Sequence, residues 1–152
     1  MKIMTIFGTR PEIIRLSMIL KEIERKNFEH VMVNTNQNAN YNMNKLFLEE
    51  LEIREPDYNL NIRTDSLGLE IADIISKSDE VLVKEKPDLL LILGDTHSGL
   101  SVIPAAHRDI KIAHVEAGMR SFDWRVPEEK NRVTIDHLST VLFPYTEYSR
   151  QN

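Results

Sequence analysis

Short apolar runs alternate along the chain with longer stretches whose apolar residues recur at helical spacing. The first run is KIMTIF (2–7). It is followed by PEIIRLSMILKEIERK (11–26), where Ile13, Leu16, Leu20 and Ile23 fall three or four residues apart and so share one face of a helix. The alternation continues through HVMVNT (30–35), the helix-like YNMNKLFLEELEI (41–53), a long helical segment over 66–85 and the strongly apolar DLLLILGD (88–95). SVIPAAHRD (101–109) reads as the end of a helix with Pro104 early in it, and KIAHVEA (111–117) as a strand. PEEKNRVTIDHL (127–138) reads as a helix opened by Pro127, and STVLFP (139–144) as the last strand.

Strands that lack alternating polarity are buried on both faces, and helices between them supply the cover. Right-handed crossovers then give one α/β domain, a doubly wound, mostly parallel, Rossmann-like sheet. No internal repeat, low-complexity stretch or linker interrupts the 152 residues, and a 41% hydrophobic content suffices for a single core. In such sheets ligands bind outside the carboxyl ends of the strands, so the loops after the strands are where chemistry is expected.

Charge and cysteine content narrow the classes. A net charge of −5 opposes non-specific nucleic-acid binding, which needs a basic stripe, yet leaves room for a small phosphorylated ligand held by a few local cations. Without cysteine, neither disulfides nor thiolate metal sites can form, and a reducing cytoplasm fits. The opening MKIMTIFGTRPE is broken by Gly8, Arg10 and Glu12 and is too short an apolar run for a signal peptide or membrane span, so a soluble, unprocessed chain is expected. His30, His97, His107, His114 and His137 lack the paired spacing of a zinc helix, and no metal is expected. His114 reads as a packed or hydrogen-bonded strand residue.

Four loops stand out. In GTRPE (8–12), Gly8 permits a tight turn, Thr9 can cap the helix and Arg10 projects from its N-terminus beside free backbone donors. This is either an anion site or a capped helix start with a solvated arginine. The spacing is not GxGxxG, so a nicotinamide cofactor is not indicated. In GDTHS (94–98), Asp95 ends the most apolar strand, placed either to orient a hydroxyl or take a proton, or simply to cap a turn. In HVEAGMRS (114–121), Glu116 ends another apolar strand; it is either a reactive carboxylate with a tuned pKa or half of a Glu116–Arg120 ion pair. In RVPEEKNR (125–132), Glu128 and Arg132 are four apart and share a helix face, which alone is an ordinary surface pair. Together Asp95, Glu116 and Glu128 would gather carboxylates around one crevice, with Arg10, Arg120 and Arg132 to hold an anion.

Taken in order, GTRPEIIR, LGDTHS, HVEAGMRS and VPEEKNRVTIDHLS resemble the non-hydrolysing UDP-N-acetylglucosamine 2-epimerase family, over essentially the whole chain. The resemblance implies the N-terminal half of a glycosyltransferase B-type two-domain architecture, with residues 1–152 as the first domain and the domain carrying most UDP contacts absent from this chain. It implies catalytic acids at Asp95, Glu116 and Glu128 and substrate contacts at Arg10, Arg15, Arg120 and Arg132. The family chemistry removes the proton at sugar carbon 2, eliminates UDP to a 2-acetamidoglycal and re-adds UDP after reprotonation on the other face. It uses no cofactor and is compatible with a homodimer. Arg15 stands where many glucosamine-type members have lysine, and the loop SFDWRVPEE is shorter than theirs. With PEIIRLS and EIREPDYNL, these features look more like the branch that forms UDP-N-acetyl-L-fucosamine in capsule and O-antigen synthesis.

Two other readings compete. The chain could be a non-catalytic binding or dimerisation module of such an epimerase, or a glycosyltransferase-type acceptor domain, which would not require three clustered carboxylates. A site built between two domains loses closure and water exclusion when one is absent, so little or no turnover is expected from residues 1–152 alone.

Overall fold

The computed structural model describes residues 1–36 and 41–152, the side chains of 41–45 excepted. Its elements follow the expected alternation: β1 (Lys2–Phe7), α1 (Arg10–Arg25), β2 (Glu29–Asn34), α2 (Tyr41–Glu50), β3 (Tyr58–Asn59), α3 (Leu67–Glu85) and β4 (Leu89–Leu93). A 3-10 turn (His97–Ser101) then leads into α4 (Val102–His107), followed by β5 (Lys111–Val115), α5 (Pro127–Leu138), β6 (Val141–Phe143) and α6 (Glu147–Arg150). The six strands form one sheet in the order β3-β2-β1-β4-β5-β6, and every adjacent pair is parallel.

Burial on both faces explains the unbroken apolar strands. Ile3 and Phe7 of β1 and Leu91 and Leu93 of β4 pack with Ile13, Leu16 and Leu20 of α1 on one side. Met4 and Ile6, with Leu90 and Ile92, pack on the other side with Val81 and Leu82 of α3, Val102 and Ala105 of α4 and Ile135 of α5. Successive residues thus point to opposite cores, and a polar position would be buried whichever way it faced.

Two elements were not anticipated. β3 is only two residues, pairing Tyr58 and Asn59 with Val33 and Asn34, and α6 is a single turn capped by the Thr146 side chain. Neither is long enough to carry a period. The helix expected to end within 101–109 is preceded by the 3-10 turn from His97, in which Ser98 and Ser101 are buried.

The strand order reverses direction between β1 and β4. That switch point opens a crevice above the carboxyl ends of the central strands, where the loops after β1, β4 and β5 meet.

Candidate active site

Asp95 and Glu116 leave neighbouring strands at this edge. The register pairs Leu93 of β4 with Val115 of β5, and the Gly94 N–H donates to the Val115 carbonyl at 3.0 Å. Gly94 and Glu116 both adopt left-handed backbone, with φ of +76° and +73°. At Gly94 a glycine meets that demand without strain; at Glu116 the surroundings must hold a non-glycine residue in it. An ideal Cβ placed on Gly94 would lie 3.4 Å from Glu116 Oε2, so the Glu116 carboxylate lies close beside the turn that precedes Asp95.

Each acid meets an arginine from a different helix. Arg15 of α1 donates to Glu116, and Arg132 of α5 pairs with Asp95. Asn131 of the same helix donates to the Asp95 carbonyl at 2.9 Å. Tyr145, just past β6, lies in the same field: burial and then the Glu116 charge push its phenol pKa up, with Arg15 opposing. Sequence reasoning passed over Tyr145 because nothing before the β5–β6 pairing places it beside Glu116.

The start of α1 follows the capped reading: the Gly8 and Thr9 backbone donors just before the helix are taken by Glu12, which turns back on them. One Glu12 oxygen accepts from Gly8 N (3.1 Å), Thr9 N (2.8 Å) and Thr9 Oγ1 (2.7 Å), and the other accepts from Thr96 Oγ1 at 2.9 Å. Burial pushes the Glu12 pKa up, against these donors. This is a capping-box arrangement in which Glu12 also ties the loop after β1 to the loop after β4. The Thr9-to-Glu12 spacing is the signal that could have revealed it. Arg10 itself extends over the Phe47 ring, 5.9 Å from its centre.

One correction concerns α5. Arg132 does not pair with Glu128 but with Asp95 and, at 3.3 Å, with Glu129. Glu128 is exposed at the start of the helix. Its neighbour Glu129 is 3% exposed and holds the preceding loop, accepting from Ser121 N (2.8 Å), Ser121 Oγ (3.0 Å) and Phe122 N (3.3 Å). Burial raises the Glu129 pKa, but the Ser121, Arg132 and Phe122 donors outweigh it and hold the carboxyl below its usual range.

A second correction is to the Glu116–Arg120 pair, which is not formed. Arg120 pairs with Asp136 at 2.7 Å instead. Asp136 also bonds His114 Nδ1 at 2.6 Å and accepts from Gly118 N at 3.0 Å, while His114 Nε2 meets the Gly94 carbonyl at 2.8 Å. His114 is thus hydrogen-bonded within the sheet edge, as read from sequence, but its partner Asp136 was missed. The available signal was α5 itself, whose buried residues are Glu129, Asn131, Ile135 and Asp136, an inward face that is mostly polar. Among the described residues no cluster of three or more His, Asp or Glu is arranged to hold a metal ion, and no helix is long and apolar enough to cross a membrane.

Residues 21–152 match the family described as UDP-N-acetylglucosamine 2-epimerase. A UDP-N-acetylglucosamine 2-epimerase homolog of Methanococcus maripaludis is 49% identical over 97% of this chain, which covers 41% of that protein. A UDP-2,3-diacetamido-2,3-dideoxy-D-glucuronate 2-epimerase of Pseudomonas aeruginosa is 40% identical over the whole chain, covering 44% of its own length. The crystal structure of the Methanocaldococcus jannaschii UDP-GlcNAc 2-epimerase, in complex with UDP-GlcNAc and UDP, superposes with a TM-score of 0.95 at 44% identity, over 99% of this chain and 42% of that one. The chain therefore spans about two fifths of the length of the relatives it matches.

Proposed function

Because the chain belongs to the UDP-N-acetylglucosamine 2-epimerase family, we propose that residues 1–152 form the N-terminal Rossmann-like domain of a two-domain UDP-N-acetylhexosamine 2-epimerase. A C-terminal domain would supply most contacts to the uridine nucleotide. The observation that supports this reading is the placement of Asp95 and Glu116 at the ends of adjacent strands beside the switch point, each within reach of an arginine from a flanking helix.

The reaction needs groups that these residues supply. One carboxylate takes the proton from sugar carbon 2. The released electron pair forms the carbon 1–carbon 2 double bond as the bond from carbon 1 to the UDP oxygen breaks. Arginines meet the charge that develops on the departing diphosphate, and Arg10, Arg15 and Arg132 take that role. A second carboxyl then returns a proton to carbon 2 from the opposite face, and the UDP oxygen re-adds to carbon 1. Atoms and electrons balance without a redox cofactor. Asp95, Glu116 and the exposed Glu128 divide the acid and base roles, which require carboxylates in unlike surroundings. Arg120, committed to Asp136, contributes by holding its loop.

We assign UDP-N-acetylglucosamine or UDP-2-acetamido-2,6-dideoxy-L-talose as substrate, in the cytoplasm, with a homodimer and a role in capsule or O-antigen synthesis as further expectations. In heavy water, deuterium should enter carbon 2 of one of these two sugars when the two-domain protein is present, as followed by NMR. Asp95→Asn, Glu116→Gln and Glu128→Gln should each suppress it. Normal exchange in all three variants would sink the assignment.

One observation favours a second reading, an association module. An apolar groove of about 420 Å³ runs between α1 and strands β1, β4, β5 and β6, and Val141 and Phe143 at its rim are 45% and 51% exposed. If no exchange occurs with any second domain present, association is what remains.

A further inference from the structure

Two ring nitrogens and their neighbours define the inference. His114 is 1% exposed at the end of β5. Nε2 faces the Gly94 carbonyl at 2.8 Å and Nδ1 faces Asp136 Oδ1 at 2.6 Å. A carbonyl only accepts, so Nε2 carries a hydrogen. An ionised carboxylate also only accepts, so Nδ1 carries one unless Asp136 is itself protonated. Asp136 is the group best placed to stay ionised, because its other oxygen receives both the Gly118 N–H at 3.0 Å and the Arg120 guanidinium at 2.7 Å. Those donors outweigh the burial that would raise its pKa and hold the carboxyl below the usual range.

The bridge spans every element that carries a candidate acid. Gly94 directly precedes Asp95, His114 lies two residues before Glu116, Gly118 two residues after it, and Asp136 stands on the helix that contributes Glu128 and Arg132. We propose that His114 is a positioning residue, a doubly protonated imidazolium fixed between the Gly94 carbonyl and the Asp136 carboxylate, which sets the spacing of Asp95 and Glu116. The ring keeps both protons throughout the reaction. Facing it are the Asp136 carboxylate from α5 and the Gly94 carbonyl from the β4 loop, with Arg120 on the far side of that carboxylate. The inference rests on the epimerase reading for its effect on catalysis, but not for the protonation state.

The test combines a spectrum with kinetics on the two-domain protein. With ¹⁵N-labelled histidine, the His114 resonances, assigned by their loss in His114→Gln, should show both ring nitrogens protonated. Asp136→Asn keeps the shape but turns an amide N–H toward Nδ1, so Nδ1 alone should lose its proton. In kinetics His114→Gln and Asp136→Ala should lower kcat about a hundredfold, the scale of a small misplacement of reacting groups. KM should stay unchanged, since only interactions made in the transition state are lost. Asp136→Asn should recover most of what Asp136→Ala loses. A bare ring nitrogen in the unmodified protein overturns the proposal, and so does an undiminished kcat in His114→Gln while Asp95→Asn is inactive. If Asp95→Asn and Glu116→Gln are also fully active, the epimerase reading fails instead. Should His114→Gln not fold, the spectra of the unmodified protein and of Asp136→Asn decide.

Discussion

Two sets of ionisable residues lie side by side along the carboxyl edge of the sheet and are put to different uses. In the outer set, Glu116 meets Arg15 and Asp95 meets Arg132, with side chains 17% to 46% exposed. In the inner set, His114 and Asp136 are 1% and 6% exposed, with Arg120 at 10%. Water can take over the bonds of the outer pairs when one partner is removed. It cannot do so for the inner set, where a lost partner leaves a desolvated polar group. The outer set can therefore exchange partners, as the proposed site for an anionic substrate requires, and the inner set can only hold.

The largest effect expected from this contrast is in Asp136→Ala. It strips partners from His114, Gly118 N and Arg120 together. Removing one member of a buried ion pair costs about 3–5 kcal/mol. The midpoint of urea unfolding should fall accordingly, and a midpoint near that of the unmodified protein would show that the inner network does not hold the edge together.

Two glycines of this edge differ in the room they leave, with a smaller effect. Gly94 and Gly118 both have positive φ, so either Gly→Ala change strains the backbone by about 1–3 kcal/mol. At Gly94 the new methyl meets only the Glu116 carboxylate, at contact distance. At Gly118 it would lie 2.0 Å from the Ser149 carbonyl oxygen, which must move. Gly118→Ala should thus be the more destabilising in urea titration, and equal losses would mean that backbone strain alone governs both.

Much of this edge is legible in the sequence, and what is not has a common cause. Asp95 and Glu116 could be found because each ends an unbroken apolar strand, a position that a carboxylate occupies for a reason. Glu12 was half legible, since Thr9 and Glu12 have the capping-box spacing, but Thr96 as its second partner comes from 84 residues away. Asp136 pairs with a histidine 22 residues earlier, and its helix reads as an ordinary polar surface until the sheet turns it inward. Glu128 and Glu129 are adjacent and chemically alike, and only the path of the 118–126 loop decides which is buried. Residues that act within one element show in the pattern, whereas residues that brace two elements wait for the fold.

Histidine burial supplies a third prediction, about pH. The His30 side chain is 3% exposed and its Nδ1 has no hydrogen-bond partner. Burial, then the Arg54 charge, push its pKa below the usual value, with Glu24 and Asp57 opposing. As pH falls below about 6.5, the unfolded chain takes up a proton that the folded chain resists, so stability declines from there downward. Asp136 acts in the same sense, but at lower pH. Its depressed pKa adds stability above the usual carboxylate range, and that contribution is lost only as pH falls through the lower folded value. Urea midpoints measured downward from neutral pH should begin to fall near the histidine range, and His30→Gln, which can still bond Thr5, should remove that early slope. A slope unchanged in His30→Gln would place the early titration elsewhere.

The smallest expected change in stability is also the one that most sharply separates the two sets. Arg15→Ala removes a guanidinium that is 46% exposed and leaves Glu116 able to bond water. Such pairs contribute about 0–1 kcal/mol, and solvent screening places this one toward the lower end. The urea midpoint should barely move, whereas in the proposed two-domain epimerase deuterium entry at carbon 2 should slow markedly, because the charge developing on the diphosphate would lose one of its cations. Arg15→Lys keeps the charge but not the planar, two-pronged donor, so its rate should fall between the two if geometry matters as well as charge. A large loss of stability in Arg15→Ala would instead assign Arg15 to the holding set. Unchanged exchange in both variants would remove it from the site.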